Sequence, residues 1–164
     1  MVYDPVLVWL IYLYLAMIGA CMGSFSSAIS YRVARGQSWI VSSEKISGKS
    51  KPARSQCPAC AHQLAWFDLI PVISWLVTTG RCRYCRTRIP MRYPLIEICG
   101  AMASVLFFWN DGNWILLGGF MITLPFALTC MMLMCARYRP PAYVIVLFLV
   151  NIALFVYGIY DGHR

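Results

Sequence analysis

Residues 57–60, Cys-Pro-Ala-Cys, and residues 82–85, Cys-Arg-Tyr-Cys, form two CxxC pairs that are separated by 21 residues. Each pair supplies two sulfurs from one tight turn, and four thiolates suit a tetrahedral Zn²⁺ ion. The sequence therefore predicts a structural zinc site with the ligands Cys57, Cys60, Cys82 and Cys85. Rubredoxin-like iron is a minor alternative. A thioredoxin-type redox pair is disfavoured, because no βαβ pattern surrounds either pair.

Outside this region the chain is strongly apolar, since 60% of its 164 residues are hydrophobic and its mean hydropathy is +0.65. A membrane-spanning helix needs roughly 20 apolar residues. Four stretches are predicted spans: Val6–Phe25, Leu95–Trp109, Trp114–Ala136 and Tyr143–Tyr160. The second is short and contains Glu97, which makes it the weakest of the four.

The expected fold class is an all-α integral membrane protein with about four transmembrane helices and a small zinc-knuckle loop. We expect three units along the chain. Residues 1–31 form the first transmembrane helix, residues 32–93 form the loop with the four-cysteine metal site, and residues 94–164 form a three-helix membrane region.

The distribution of positive charge predicts the orientation. The net charge is +8, and 11 of the 14 Lys and Arg residues lie between Arg32 and Arg92. Basic loops stay on the cytoplasmic side and contact anionic lipid. We therefore expect a cytoplasmic cysteine loop, whose thiols stay reduced, and two periplasmic termini. No interleaved basic and aromatic motif suggests a nucleic-acid partner.

Two further parts of the loop have distinct compositions. Gly36–Arg54 is polar and rich in Ser, Lys and Gly, and we predict a mobile segment there. Trp66–Val77 is apolar but is interrupted by Pro71, so it is too short to cross a membrane. We predict an interfacial or re-entrant segment with Trp66 and Trp75 at the level of the lipid headgroups.

Several motifs lie in a characteristic order and spacing between residues 19 and 100. They are Gly23-Ser24-Phe25, Ile29–Val33, Ser55–Cys60, Asp68–Pro71, Ser74-Trp75, Gly80–Cys85, Ile89, Arg92-Tyr93-Pro94 and Glu97. In their order and spacing these motifs resemble one known family, the bifunctional type IV prepilin peptidases, which cleave prepilin leaders and N-methylate the new amino terminus.

The resemblance does not extend to the protease chemistry. Family peptidases use two membrane-embedded aspartates, one about seven residues before a proline and one in a GxGD motif. Leu133 or Met134 stands at the first position, depending on which proline is aligned, and these 164 residues contain no GxGD. We therefore expect a degenerate or partial family member, with no peptidase activity from this chain alone.

The six acidic residues offer no obvious replacement for the aspartic pair, which needs two carboxylates that share one proton. Asp4, Asp111 and Asp161 lie on the predicted outer side, and Glu44 lies in the predicted mobile segment. Asp68 and Glu97 remain as candidates for accepting a proton during methyl transfer. The alternatives are structural: Asp68 as a turn cap or arginine partner, and Glu97 as a polar anchor or a partner of Arg92.

The resemblance implies a location in the bacterial inner membrane, within type IV pilus or type II secretion biogenesis, and a pilin-like precursor as partner. It implies S-adenosylmethionine as cofactor if N-methyltransferase-type activity is retained. No glycine-rich Rossmann loop marks a donor site. The alternative is a non-catalytic, zinc-stabilised scaffold, or one part of a split enzyme whose separate peptidase half supplies the aspartates.

Overall fold

The structure is a computed structural model that describes residues 4–37, 41–46, 49–52, 55–111 and 114–162. These residues are mainly helical. The helices are α1 (Pro5–Val33), α2 (Ile73–Val77), α3 (Arg92–Asp111), α4 (Trp114–Cys135) and α5 (Ala142–Gly162), with a 3₁₀ turn at Trp66–Leu69. The strands β1 (Val41–Ile46) and β2 (Lys49–Pro52) form an antiparallel ribbon.

The long helix α1 has a well-defined start. The carboxylate of Asp4 accepts a hydrogen bond from the backbone N–H of Val6 at 3.0 Å, and Pro5 occupies the first helical turn, where its missing N–H does no harm. With 29 residues the helix is about 43 Å long. It therefore exceeds the hydrocarbon core, which is about 30 Å thick.

Helices α1 and α3 pack antiparallel through small residues. Gly19 lies against Gly100, and Gly23 lies against the backbone of Ile96 and its neighbour in α3. The hydroxyl of Ser104 donates a hydrogen bond to the carbonyl of Leu15 across the interface, at 2.9 Å. A Cβ atom on either α1 glycine would meet backbone atoms of α3, so the helices approach closely because these residues have no side chain.

Helix α4 joins α1 and α5 through buried polar side chains. Pro125 lies inside α4, and the hydroxyl of Thr129 bonds both the Pro125 carbonyl at 2.7 Å and the Ser26 carbonyl of α1 at 3.1 Å. On the other side, the amide of Asn151 in α5 donates to the hydroxyl of Thr123 at 2.9 Å. These bonds satisfy polar groups that would otherwise be costly to bury. The helices also share an apolar core made of Leu15, Ile96, Phe107, Leu117, Phe120, Leu124 and Leu128.

The expected helical fold with candidate membrane-spanning helices is confirmed. Among the described residues, Pro5–Val33 and Ile115–Cys135 are long and apolar enough to cross a membrane, and Ala142–Gly158 is a shorter apolar helix. Large apolar side chains of α1, such as Trp9 and Leu13, are exposed, as suits contact with lipid. The stretch predicted as the weakest span forms the helix α3. The total of four spans stays a prediction.

In residues 36–54, where the sequence predicts a mobile segment, the structure describes two strands, and the mobility itself stays a prediction. β1 and β2 pair with Val41 opposite Pro52 and Ile46 opposite Lys49. The sequence Ser47-Gly48 has a composition that is typical of turns. The polar composition of residues 36–54 hides this signal.

Candidate metal centre and its attachment to the helices

The two CxxC pairs form two knuckles with the same backbone structure. In the first, the N–H of Cys57 donates to the carbonyl of His62 at 3.0 Å, and the N–H of Ala61 donates to the carbonyl of Cys57 at 2.9 Å. In the second, the N–H of Cys82 donates to the carbonyl of Thr87 at 2.8 Å, and the N–H of Arg86 donates to the carbonyl of Cys82 at 2.9 Å.

The equivalence of the knuckles extends to their conformation and their edges. Ala61 and Arg86, each four residues after the first cysteine, have positive φ angles of 56° and 62°. An antiparallel bridge closes each knuckle, between Gln56 and Gln63 in one and between Arg81 and Arg88 in the other. The same residue type therefore stands at both ends of each closing bridge.

The sulfur atoms have the geometry of a metal centre. The four Sγ atoms of Cys57, Cys60, Cys82 and Cys85 all lie within 4.8 Å of one another, and those of Cys57 and Cys85 are 3.8 Å apart. Zn–S bonds of about 2.3 Å place tetrahedral sulfurs about 3.8 Å apart. The four residues therefore fit Zn²⁺, and an ion bound by all four sulfurs would have no open coordination position.

The thiols differ in acidity. Hydrogen bonds with the side chain and the backbone of Thr87 lower the pKa of Cys85 to about 6. The backbone hydrogen bond at His62 lowers the pKa of Cys60, but desolvation and the thiols of Cys57 and Cys85 outweigh it and raise the pKa to about 11. A cation that binds all four sulfurs must therefore displace protons, as thiolate sites do in general.

Asp68 joins the 3₁₀ turn to the second knuckle. Its carboxylate accepts hydrogen bonds from the Nε of Arg83 at 2.9 Å, the hydroxyl of Tyr84 at 2.9 Å and the backbone N–H of Ala65 at 3.2 Å. The ring of Tyr84 also stacks on His62, with 3.7 Å between the ring centroids. Asp68 thus holds the two residues between the cysteines of the second knuckle, and Tyr84 contacts the first knuckle in turn.

These contacts affect the basicity of Asp68, whose side chain is 8% exposed. Burial raises the pKa of the carboxyl group, but the hydrogen bonds from Arg83, Tyr84 and the backbone of Ala65 outweigh it, so the pKa lies below its ordinary value. A carboxylate that is stabilised in this way is a weak proton acceptor. The contacts match the structural alternative for Asp68, a turn cap and arginine partner.

Glu97 connects the loop to the helices. Its Oε2 accepts a hydrogen bond of 2.6 Å from the backbone N–H of Val72. Val72 has a φ of 61° and lies in a tight turn closed by a 2.6 Å bond from the Ile73 N–H to the Pro71 carbonyl. A positive φ is strained for a β-branched residue, so the surrounding contacts must hold Val72 in place.

Replacement of Glu97 tests this attachment. Glu97→Ala leaves the Val72 N–H without its acceptor and is expected to destabilise the protein by about 1–3 kcal/mol. Glu97→Gln keeps a carbonyl oxygen and is expected to restore most of that loss. Thermal unfolding in detergent measures the difference. Equal effects of the two substitutions would show that the hydrogen bond to Val72 does not stabilise the loop.

Trp75 packs against residues of the second knuckle, and its predicted level at the lipid headgroups stays a prediction. Its indole N–H donates to the carbonyl of Ile89 at 3.1 Å, and its ring packs on Gly80, which has a φ of +66°. A Cβ at Gly80 would lie 2.7 Å from the ring. Trp75 is therefore half-buried inside the cysteine module, by which we mean residues 55–92 with both knuckles, whereas Trp66 is 77% exposed.

Comparison with known proteins identifies the family of this module. Residues 17–110 match the family model of the bacterial peptidase A24 N-terminal domain. The chain belongs to this family. The matched A24 N-terminal domain includes most of α1, both knuckles, Asp68, Glu97 and nearly all of α3. The predicted resemblance to prepilin leader peptidase/N-methyltransferases is thereby confirmed for the amino-terminal region.

Curated relatives share this region over part of their length. A prepilin leader peptidase/N-methyltransferase of Myxococcus xanthus is 40% identical over 58% of this chain and 24% of its own length. One of Vibrio cholerae serotype O1 is 29% identical over 63% of this chain and 41% of its own length. A type 4 prepilin-like proteins leader peptide-processing enzyme of Escherichia coli O78:H11 is 36% identical over 60% of this chain and 40% of its own length. The alignments thus cover about a quarter to two fifths of these relatives. No solved structure matches the chain.

The positions that the resemblance assigned to a catalytic aspartate lie beyond the matched A24 domain. Leu133 is 2% exposed in the core near the end of α4, and Met134 is exposed. Neither side chain is ionisable. The structure places the Asp68 carboxylate against the second knuckle and the Glu97 carboxylate against Val72, and a catalytic role for either residue stays a prediction.

Sequence reasoning missed two features of the A24 domain. The equivalence of the knuckles was visible as Gln-Cys-x-x-Cys-x-x-Gln and Arg-Cys-x-x-Cys-x-x-Arg, because the flanking residue types repeat. The bond between Glu97 and Val72 spans 25 positions of sequence, and no local pattern signals it.

Proposed function

We propose that this chain is a non-proteolytic module of prepilin processing that holds pilin-like precursors at the bacterial inner membrane. It serves type IV pilus or type II secretion biogenesis and works with a separately supplied peptidase half that carries both aspartates. In this proposal the chain is multi-pass, its termini are periplasmic and its zinc-bearing cysteine module is cytoplasmic. The substrate class comes from the names of the relatives.

The observation that carries the proposal is the engagement of both candidate carboxylates in holding the cysteine module. Asp68 accepts hydrogen bonds from Arg83 and Tyr84, and Glu97 accepts one from the Val72 backbone. A module whose acidic groups are used for its own attachment is better suited to present a surface than to transfer protons. The four-cysteine site supports the same interpretation, because a structural zinc ion stabilises a small domain with little core.

A reconstitution experiment tests the proposal. The chain in lipid nanodiscs should capture a pilin peptide that includes its leader, but should not cleave it. Addition of the aspartate-bearing half of a family peptidase should produce cleavage that neither part shows alone. Cys57→Ser should abolish capture, and Cys21→Ser is the matched control outside the module. Cleavage by the chain alone, or an absence of capture, would contradict the proposal.

N-methyl transfer is the second candidate, because the relatives' names include N-methyltransferase and the matched region contains Asp68 and Glu97. In this alternative the chain binds S-adenosylmethionine, and one of the two carboxylates accepts the proton of the pilin amine. A labelled methyl donor and a pre-cleaved pilin peptide distinguish the two functions. Label transfer that is lost in Asp68→Asn or Glu97→Gln would overturn the non-catalytic proposal.

A further inference from the structure

The segment Trp66–Val77 presents apolar side chains that the rest of the described chain does not cover. Trp66 is 77% exposed, and Ile73, Leu76 and Val77 are each more than half exposed. Trp75 faces the module interior, so the segment has an inner side that is packed and an outer side that is not. A group of exposed apolar residues at a polar module marks a docking surface.

The attachment through Glu97 sets the depth of this surface. Val72, in the middle of the segment, is bonded to a carboxylate that lies five residues into α3, or about 7.5 Å from Arg92 along the helix axis. Beside Glu97, Leu95 and Ile98 are exposed on the outside of α3. The bond to Glu97 therefore holds the segment beside a part of α3 whose outer surface is apolar.

The charge of the module indicates what the surface meets. Residues 55–92 contain five arginines and one acidic residue, Asp68, which pairs with Arg83. The arginine side chains are exposed, and they are Arg81, Arg83, Arg86, Arg88 and Arg92. Exposed tryptophan and aliphatic side chains next to arginines are typical of the boundary between acyl chains and anionic headgroups.

We infer that Trp66–Val77 is an interfacial anchor that binds the anionic lipid leaflet beside the ends of α1 and α3. The apolar side chains enter the boundary region, and the arginines of the knuckles contact lipid phosphates. The cysteine module is then fixed against the membrane at two places, by lipid contact along this segment and by the bond between Val72 and Glu97. This inference does not depend on the proposed processing function.

Depth-dependent fluorescence quenching tests the inference on the full chain in nanodiscs. Bromine atoms are placed either near the headgroup or near the chain end of the lipid, and the Trp66 signal is the difference between wild type and Trp66→Phe. In discs with about one third phosphatidylglycerol, shallow bromines should quench Trp66 at least about twofold more than deep ones. Trp66 is so exposed that its replacement by Phe is not expected to impair folding.

Trp9 provides a matched control, because it is 74% exposed on α1, outside the cysteine module. The Trp9 signal is the difference between wild type and Trp9→Phe. Brominated lipid should quench this signal equally in neutral and anionic discs, whereas it should quench the Trp66 signal less in neutral discs. Equal quenching of Trp66 in both discs would overturn the role of anionic lipid. Quenching of Trp66 by aqueous acrylamide instead of by brominated lipid would overturn the anchor. Protection of Trp66 from acrylamide that appears only with a pilin peptide would assign the surface to a protein partner.

Discussion

Cys57→Ser is expected to reduce bound zinc from about one ion per chain to less than about a tenth of an ion per chain, and to unfold the cysteine module. Cys57 and Cys82 are buried, and all four sulfurs lie within 4.8 Å of one another. Loss of one ligand removes a quarter of the coordination. It also leaves only three sulfur ligands for the ion.

The expected unfolding is local, because no cysteine of the site belongs to a long helix of the described chain. Metal analysis of the purified protein measures the zinc content. Limited proteolysis with trypsin measures the local order, since Arg81, Arg83, Arg86 and Arg88 provide cleavage sites. Circular dichroism should keep most of its helical signal.

Cys21→Ser is the control for this prediction, because it removes an exposed thiol of α1 outside the cluster. It should retain zinc and resistance to trypsin. Treatment of wild-type protein with a chelator should reproduce the trypsin pattern of Cys57→Ser. Zinc retained in Cys57→Ser would contradict a four-cysteine site, and a trypsin-resistant module without zinc would contradict the structural role of the metal.

The features that the sequence predicts are those whose residues lie close together along the chain. The cysteine cluster could be predicted because each CxxC is a local turn and because tetrahedral coordination requires four such ligands. The apolar helices could be predicted because their composition is continuous over about 20 residues. The ribbon at Val41–Pro52 was missed because its polar composition resembles that of a linker, and only the residues Ser47-Gly48 indicate a turn.

Local sequence patterns do not reveal the contacts that attach the cysteine module to the helices and hold it together. Glu97 was recognised as an unusual acid in an apolar stretch, but its partner is a backbone N–H rather than the neighbouring Arg92. Likewise, no local pattern indicates that the indole N–H of Trp75 donates to the carbonyl of Ile89 or that its ring packs against Gly80. In both cases the deciding contact lies 14 or 25 residues away along the chain.

Gly19→Ala is expected to lower the stability of the helix bundle by about 3 kcal/mol, at the upper end of the usual effect of overpacking. The new Cβ would collide with the carbonyl of Gly100 and with the hydroxyl of Ser104 in α3. The hydroxyl can rotate, but the carbonyl belongs to the helix backbone. The two helices must therefore separate, which also weakens the 2.9 Å bond from Ser104 to the Leu15 carbonyl.

Gly118→Ala in α4 is the matched control, because no atom lies within 4 Å of the position of its new Cβ. The same substitution in a helix without a clash is expected to be neutral or to stabilise by about 0.5–1 kcal/mol. Thermal unfolding in detergent should therefore show a midpoint roughly 6–12 °C lower for Gly19→Ala and an unchanged or higher midpoint for Gly118→Ala. Equal midpoints would mean that α1 and α3 are not in backbone contact. Since Gly23 and Glu97 lie one turn along the same interface, a lower midpoint accompanied by trypsin cleavage of the cysteine module would show that this helix pair supports the module.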